Sequence, residues 1–402
     1  MANQILRGNA VIGQSGGPTA VINQSLVGIV ETLRGRAGID RILGARHGVR
    51  GIVQNQFVEL QDVPQERLER VAATPSAALG SSRDKPDAEY CKRIFAAFEK
   101  NNVRYFFYIG GNDSSDTCRI VNELAQQSGY ELRAFHVPKT IDNDLVHNDH
   151  TPGFGSAARF VALAFMGDNL DNRALPGIKI NVVMGRHAGF LTAASALARR
   201  EEGDGPHLIY VPEAPFDPQK FLDDVDRVYQ KHNRCVIAIS EGISDAEHTP
   251  IAAKLALEQG HQVERDAHGN VQLSGTGALG DFLSIHIKNH LGKKLRVRAD
   301  TFGYLQRSFV SCVSPTDAQE AREAGRKAAE VALLGNLDGS IAIQRVSDKP
   351  YKVEYKLVQL RDVAAKTRRL DPQYIIDGND IAPSFRDYAG PLVGELPAVE
   401  TL

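Results

Sequence analysis

At 402 residues the chain exceeds what one hydrophobic core usually organises, so two domains are the first expectation. A composition of 42% hydrophobic and 24% charged residues is that of a globular protein, and no apolar run approaches the roughly 20 residues of a membrane span. A net charge of -2 provides no global field for nucleic acid, so any anionic ligand must be gripped by a local arrangement.

Residues 1–13 (MANQILRGNAVIG) carry no basic region followed by a long apolar stretch, so no secretory signal is read and a cytoplasmic location is expected. Cys91, Cys118, Cys235 and Cys312 lie far apart, which indicates free thiols in a reducing compartment and neither a disulfide framework nor a zinc site. Short β-rich apolar runs at residues 10–12, 105–109, 135–137, 180–184, 208–211 and 236–239 each lead into Gly/Ser/Asp-rich turns. Helical patterns lie between them, such as Val21, Ile22, Leu26, Ile29, Val30 and Leu33 on one broad face. This is the rhythm of an α/β protein with parallel strands covered by helices, whose ligands gather where strands end and helices begin.

Residues 13–23 (GQSGGPTAVIN) follow the first strand, and Gly16 and Gly17 can let backbone N–H groups approach a phosphate at a helix N-terminus. No Gly-Lys-Ser/Thr closes the loop, so it is not a Walker A motif. Residues 110–117 (GGNDSSDT) repeat the geometry: two glycines permit close backbone approach, and Asn112 and Asp113 offer oxygens to a hard cation such as magnesium. Asp116 is expected as the N-cap of the following helix. Residues 138–144 (PKTIDND) place Lys139, Thr140, Asp142 and Asp144 at a strand end. There a lysine can neutralise a transferred phosphoryl group while a carboxylate accepts the proton of the attacking hydroxyl.

Later in the chain, residues 184–190 (MGRHAGF) and 239–242 (ISEG) form two more strand-end clusters, followed by an arginine pair in residues 298–307 (RADTFGYLQR). Arg186, Arg298 and Arg307 are candidates to fork onto a phosphate, and Glu241 to accept sugar hydroxyls. His187 is read as packing or capping. The GxGxxG match at residues 275–280 lies after a Gly/Asn-rich stretch and is set aside as a dinucleotide signal. Beyond about residue 335 the regularity weakens, and the strand-like 352–360 with the polar 361–371 is expected to be a peripheral addition.

Taken in order, GQSGGPTAVIN, GGNDSSDT, PKTIDND, MGRHAGF, ISEG and GYLQR resemble the signature of the phosphofructokinase family, over about residues 10–307. The resemblance implies two Rossmann-like three-layer α/β domains with mainly parallel sheets and the active site in the cleft between them. Residues 1–153 plus about 305–360 would bind the phosphoryl donor, and residues 154–304 plus about 361–402 the sugar phosphate. Asp142 corresponds to the general base that takes the proton from the C1 hydroxyl of fructose 6-phosphate. Thr140, Ile141 and Asp142 would meet the sugar's reacting end. Met184, Gly185 and Arg186 match a second sugar-phosphate segment, Glu241 a hydroxyl-binding acid, and Arg298 and Arg307 phosphate-binding arginines. Tyr304 stands where ATP-dependent relatives often have His. Gly17, Arg83 and Asn112 match donor and metal positions, with Asp144 near an Mg2+ ion. Arg298 in the family typically reaches a neighbouring subunit, which implies a homodimer or homotetramer.

Two positions bear on the donor. ATP-dependent relatives tend to have Gly where this chain has Asp113, whose carboxylate would occupy the path of the nucleotide's α-phosphate and repel it. They also tend to have Gly at Lys139, where a cation can stabilise a leaving phosphate. Both point to pyrophosphate. Two departures accompany them: the usual metal-ligand Asp is Asn112 here, and Gly177 replaces an arginine, with Lys179 as a possible substitute. An ATP-dependent enzyme, a different acceptor such as sedoheptulose 7-phosphate, and a non-catalytic phosphate-sensing subunit are the competing readings.

Overall fold

The computed structural model describes residues 6–258, 278–335 and 337–400. Of the GxGxxG match, residues 275–277 fall outside them, and Ala278 opens the helix Ala278–Leu291. The chain divides into two compact units, Met1–Ser156 with Arg307–Arg368, and Ala157–Gln306 with Arg369–Leu402. Among the described residues no helix is long and apolar enough to cross a membrane.

The strands in chain order are β1 (Gly8–Gln14), β2 (Ile39–Ala45), β3 (Phe57–Glu59), β4 (Val103–Gly110), β5 (Arg133–Pro138), β6 (Ile178–Val183), β7 (Leu208–Tyr210), β8 (Cys235–Ser240), β9 (Val297–Thr301), β10 (Gly339–Asp348), β11 (Tyr351–Val358) and the short antiparallel pair β12 (Ile375–Ile376) and β13 (Asp380–Ile381). The first unit holds a seven-stranded sheet in the order β11-β10-β5-β4-β1-β2-β3. Its five inner strands run parallel, and β11 and β3 pair antiparallel at the two edges.

Parallel strands buried on both faces must be apolar at successive residues, and β1 and β4 are. Ala10 and Ile12 face one layer with the helices Ile22–Leu33 and Pro315–Leu334, while Val11 faces the other with Ala88–Lys100 and Asn112–Gln127. Tyr105, Phe106, Phe107 and Tyr108 of β4 are all buried, and each side chain of this size contributes roughly 1.5–3 kcal/mol on removal from water. The two helices of the first layer approach closely at glycines. A Cβ on Gly28 would stand 2.3 Å from the Arg322 carbonyl, and one on Gly325 would stand 2.2 Å from that of Ser25.

The second unit holds a four-stranded, all-parallel sheet in the order β7-β8-β6-β9. Ile178, Ile180 and Val182 of β6 point into a core with Phe221, Leu222 and Val225 of the helix Pro218–His232 and Leu283 and Ile287 of Ala278–Leu291. On the opposite face the buried Asn181 donates to Asp168 of the long helix Phe154–Ala174. Helix ends follow local chemistry: Asp217 accepts from the N–H groups of Gln219 and Lys220 ahead of Pro218, and Asn233 closes the helix at φ 54°.

Of the segment expected to be peripheral, the strand-like part is β11 at the sheet's edge, whereas the strand just before it is internal. β10 lies inside the sheet between β5 and β11, with Ile341, Ala342 and Ile343 fully buried. The reason is topological: its partner strand β5 is some 200 residues earlier, so no local pattern announces the pairing.

Candidate active site

In the first unit β1, β4 and β5 are neighbours, and their carboxyl ends stand side by side, with Gln14 opposite Ile109 and Gly110 opposite Pro138. The turns after these strands are therefore adjacent, as expected of ligand-binding loops in a parallel sheet. They carry Gly16 and Gly17, then Gly111, Asn112 and Asp113, then Lys139 to Asp144.

Lys139 is the centre of this cluster. It is 3% exposed, and its ammonium donates to the Gly17 carbonyl at 2.7 Å. A Cβ on Gly16, which has φ 74°, would stand 3.3 Å from that ammonium, and a Cβ on Gly17 would meet the Arg307 guanidinium at 3.0 Å. The two glycines thus make room for two cationic heads, a use beyond the backbone approach expected of them. Burial, then repulsion from Arg307, pulls Lys139 down to about 7, although Asp142 and Asp144 oppose the shift. Exposed Arg83 adds a further positive charge nearby.

The carboxylates occupy the turn that follows. Thr140 Oγ1 accepts from the Asp142 N–H at 3.1 Å, and Asn143 turns the chain at φ 59°. Ile141 is buried beneath, and Asp142 is half-buried. Burial, then the charge of Asp142, pushes the Asp144 carboxyl well above the usual carboxylate range. Asn112 Nδ2 donates to Asp144 Oδ2 at 3.3 Å, whereas the buried Asn112 Oδ1 has no hydrogen-bond partner. Among the described residues no group of three His, Cys, Asp or Glu side chains is placed to hold a metal ion. An orphaned amide oxygen beside a carboxylate fits a hard cation that takes its remaining ligands from phosphate and water.

Asp116 departs from expectation. The helix Asn112–Gln127 begins four residues earlier with Gly111 as its N-cap, so Asp116 lies in the second turn and pairs with Arg119 at 2.9 Å. Two consecutive glycines ended β4 sharply enough for the helix to start at once. Asp113 is consequently in the first helical turn, exposed, with Lys85 3.4 Å away.

In the second unit, β6 ends into Met184, Gly185 and Arg186 and β8 into Glu241, adjacent in register. The two turns interlock: Glu241 N–H donates to the Val183 carbonyl at 2.9 Å, and Ser240 Oγ to that of Gly185 at 2.6 Å. A side chain on Gly242 would collide with the Arg186 carbonyl at 2.1 Å. Met184 and Glu241 are buried and Arg186 is half-buried. Arg298 on β9 is exposed, and Tyr304 is 50% exposed. Lys179 is held by Asp300, with Asp168 4.0 Å away. Arg307 falls in the first unit, against Gly17.

Three polar residues beside these turns were not singled out from sequence. Arg368 donates through Nε to the Asn143 carbonyl at 2.9 Å and through Nη1 to that of Asn148, and its own N–H reaches the Asp144 carbonyl at 2.8 Å. Buried His136 lies beneath Gly110. In the second unit Glu213 Oε1 accepts from the N–H groups of Gly189 and Leu370, tying the end of MGRHAGF to the C-terminal segment. Arg368 lies in the polar run 366–369 (KTRR) and His136 inside an apolar strand, and for none of the three does anything nearby in sequence signal its partner.

The phosphofructokinase family model matches residues 9–332. The chain is 57% identical to a pyrophosphate--fructose 6-phosphate 1-phosphotransferase of Rhodospirillum rubrum, over 97% of this chain and 95% of that protein. It is 40% identical to the enzyme of the same name from Halomonas elongata, over 96% and 91%. A pyrophosphate-dependent phosphofructokinase structure from Nitrosospira multiformis superposes with a TM-score of 0.85 at 32% identity, covering 98% of this chain and 95% of that one.

Proposed function

This chain belongs to the phosphofructokinase family, and from that premise we propose that it transfers a phosphoryl group from pyrophosphate to the C1 hydroxyl of fructose 6-phosphate. The products are fructose 1,6-bisphosphate and phosphate, and the reaction is reversible. The observation that carries the donor assignment is buried Lys139, its ammonium 2.7 Å from the Gly17 carbonyl and flanked by Arg307. Relatives named for the pyrophosphate reaction support this donor over ATP, and a phosphate-sensing subunit would need neither Lys139 nor the neighbouring base.

We assign the donor to the first unit and the sugar phosphate to the second. Gly17, Arg83, Asp113 and Lys139 receive pyrophosphate, with Lys139 countering the charge that builds on the leaving phosphate. Asp142 takes the C1 hydroxyl proton as the oxygen attacks, and Thr140 and Ile141 shape its turn. Met184, Gly185, Arg186, Glu241, Arg298 and Tyr304 of the second unit hold the sugar phosphate, and Arg307 of the first unit is assigned to it as well. Asp113, at the first helical turn, excludes a nucleotide's α-phosphate by charge and volume.

Asn112 Oδ1 and Asp144 would hold Mg2+, the divalent metal we assign here. When bound, that ion neutralises phosphate charge. With a single carboxylate and an amide as protein ligands, this chain depends on Lys139 and the arginines for much of the positive charge. We place the enzyme in the cytoplasm as a homodimer or homotetramer, in keeping with four buried, free cysteines.

A coupled assay on purified protein comparing pyrophosphate with ATP tests the reading. Fructose 1,6-bisphosphate formation with pyrophosphate and little with ATP is expected, and equal or better activity with ATP would overturn the donor assignment.

A further inference from the structure

Strand register places Ser340 of β10 directly beside His136 of β5, two residues before the PKTIDND turn. His136 is fully buried between two polar groups, with Nδ1 2.7 Å from Ser340 Oγ and Nε2 2.8 Å from the Gly110 carbonyl. A carbonyl only accepts, so Nε2 carries the proton and Nδ1 accepts from the serine hydroxyl. The Gly110 carbonyl takes a second bond from the Lys139 N–H at 3.0 Å. One oxygen therefore binds the GGNDSSDT turn to the PKTIDND turn.

The consequence lies on the other side of the same peptide. In a trans peptide the C=O and N–H point in opposite directions, so holding the Gly110 carbonyl toward His136 aims the Gly111 N–H away from it. Among the described residues no backbone carbonyl takes that N–H. It stands at the N-terminus of the helix Asn112–Gln127, whose first N–H groups are unsatisfied by the helix itself.

We infer that His136, held in one tautomer by Ser340, is a positioning residue for the phosphoryl donor, fixing the Gly110–Gly111 peptide so that its N–H and the helix N-terminus face pyrophosphate. This rests on the reading that Gly17, Asp113 and Lys139, in the turns beside this peptide, receive pyrophosphate. Neutral His136 suits the task, because burial pulls it down to about 4 and it keeps one donor and one acceptor throughout the working range.

Steady-state kinetics on three variants test it. Asn at position 136 reaches the Nδ1 location but not the Gly110 carbonyl, whereas Gln places an amide N–H near the Nε2 location. His136→Asn is expected to raise KM for pyrophosphate about tenfold while KM for fructose 6-phosphate changes less than about twofold. His136→Gln recovers most of the loss, and Ser340→Ala shifts KM for pyrophosphate in the same direction by a smaller factor. A KM for pyrophosphate unchanged in His136→Asn overturns the inference, as does an equal rise in both KM values that Gln fails to reverse. If His136→Asn does not fold, Ser340→Ala decides, and an unaltered KM for pyrophosphate in that variant is also fatal. The wild-type assay separates the two claims: no pyrophosphate activity in the parent chain sinks the donor reading, whereas an active parent with unaffected variants sinks only the positioning role.

Discussion

The ammonium of Lys139 donates to the carbonyl of Gly17 at 2.7 Å, joining turns 122 residues apart. Burial and Arg307 hold this lysine down to about 7, so in the free protein the amine is cationic below that pH and increasingly neutral above it. Pyrophosphate favours the cationic form. Binding at pH 8 should therefore take up about one proton, measurable by calorimetry in two buffers of different ionisation enthalpy. Lys139→Met should abolish the uptake and lower turnover on the order of 100-fold to 1,000-fold. The same uptake in both proteins would remove Lys139 from the donor site.

Asp142, beside Lys139 in the same turn, is the assigned base. Asp142→Asn keeps the shape and removes the proton acceptor, so kcat should fall roughly 100-fold to 10,000-fold with KM little changed. The loss should appear in both reaction directions, because the protonated residue serves as the acid in reverse. A variant that loses activity in one direction only contradicts the role.

Exposed Asp113 sits in the first turn of its helix, with the exposed Lys85 as a salt-bridge partner. Asp113→Gly removes the carboxylate assigned to repelling a nucleotide, and kcat/KM for ATP should rise on the order of tenfold or more. Paired kinetics with both donors check this. Donor preference unaltered in the variant argues that the exclusion lies elsewhere.

The close crossing of the helices Ile22–Leu33 and Pro315–Leu334 gives a stability prediction that is independent of chemistry. A side chain at 325 meets the Ser25 carbonyl at 2.2 Å, so the helices must separate to admit it. Gly325→Leu should cost about 1–3 kcal/mol or more and lower Tm, while Gly167→Ala, where a Cβ meets nothing within 4 Å, should not. Equal melting temperatures would show that the crossing tolerates expansion.

The α/β class was legible because strands buried on both faces must read as short apolar runs, and β1, β4, β5, β6, β7 and β8 all do. The charged turns were legible because each follows such a run directly. What escaped was whatever depends on distant pairing. Ser340 meets His136 across 204 residues, Arg368 meets Asn143 across 225, and Glu213 meets Leu370 across 157. A single buried polar residue has no periodicity of its own, and its purpose exists only once its partner arrives. Asp116 was misplaced for a local reason: sequence cannot say whether two glycines prolong a loop or end it.

The insertion of β10 beside β5 also sets an order of events during synthesis. The four strands of the second unit's parallel sheet, from Ile178 to Thr301, have been made before Gly339 emerges. Until then β5 has an open edge, for about 10–40 s at translation rates of roughly 5–20 residues per second. Open strand edges invite pairing with other chains. A chain released before β10 begins would carry every charged turn of the donor cluster yet lack Ser340, and it would present an unprotected edge beside them.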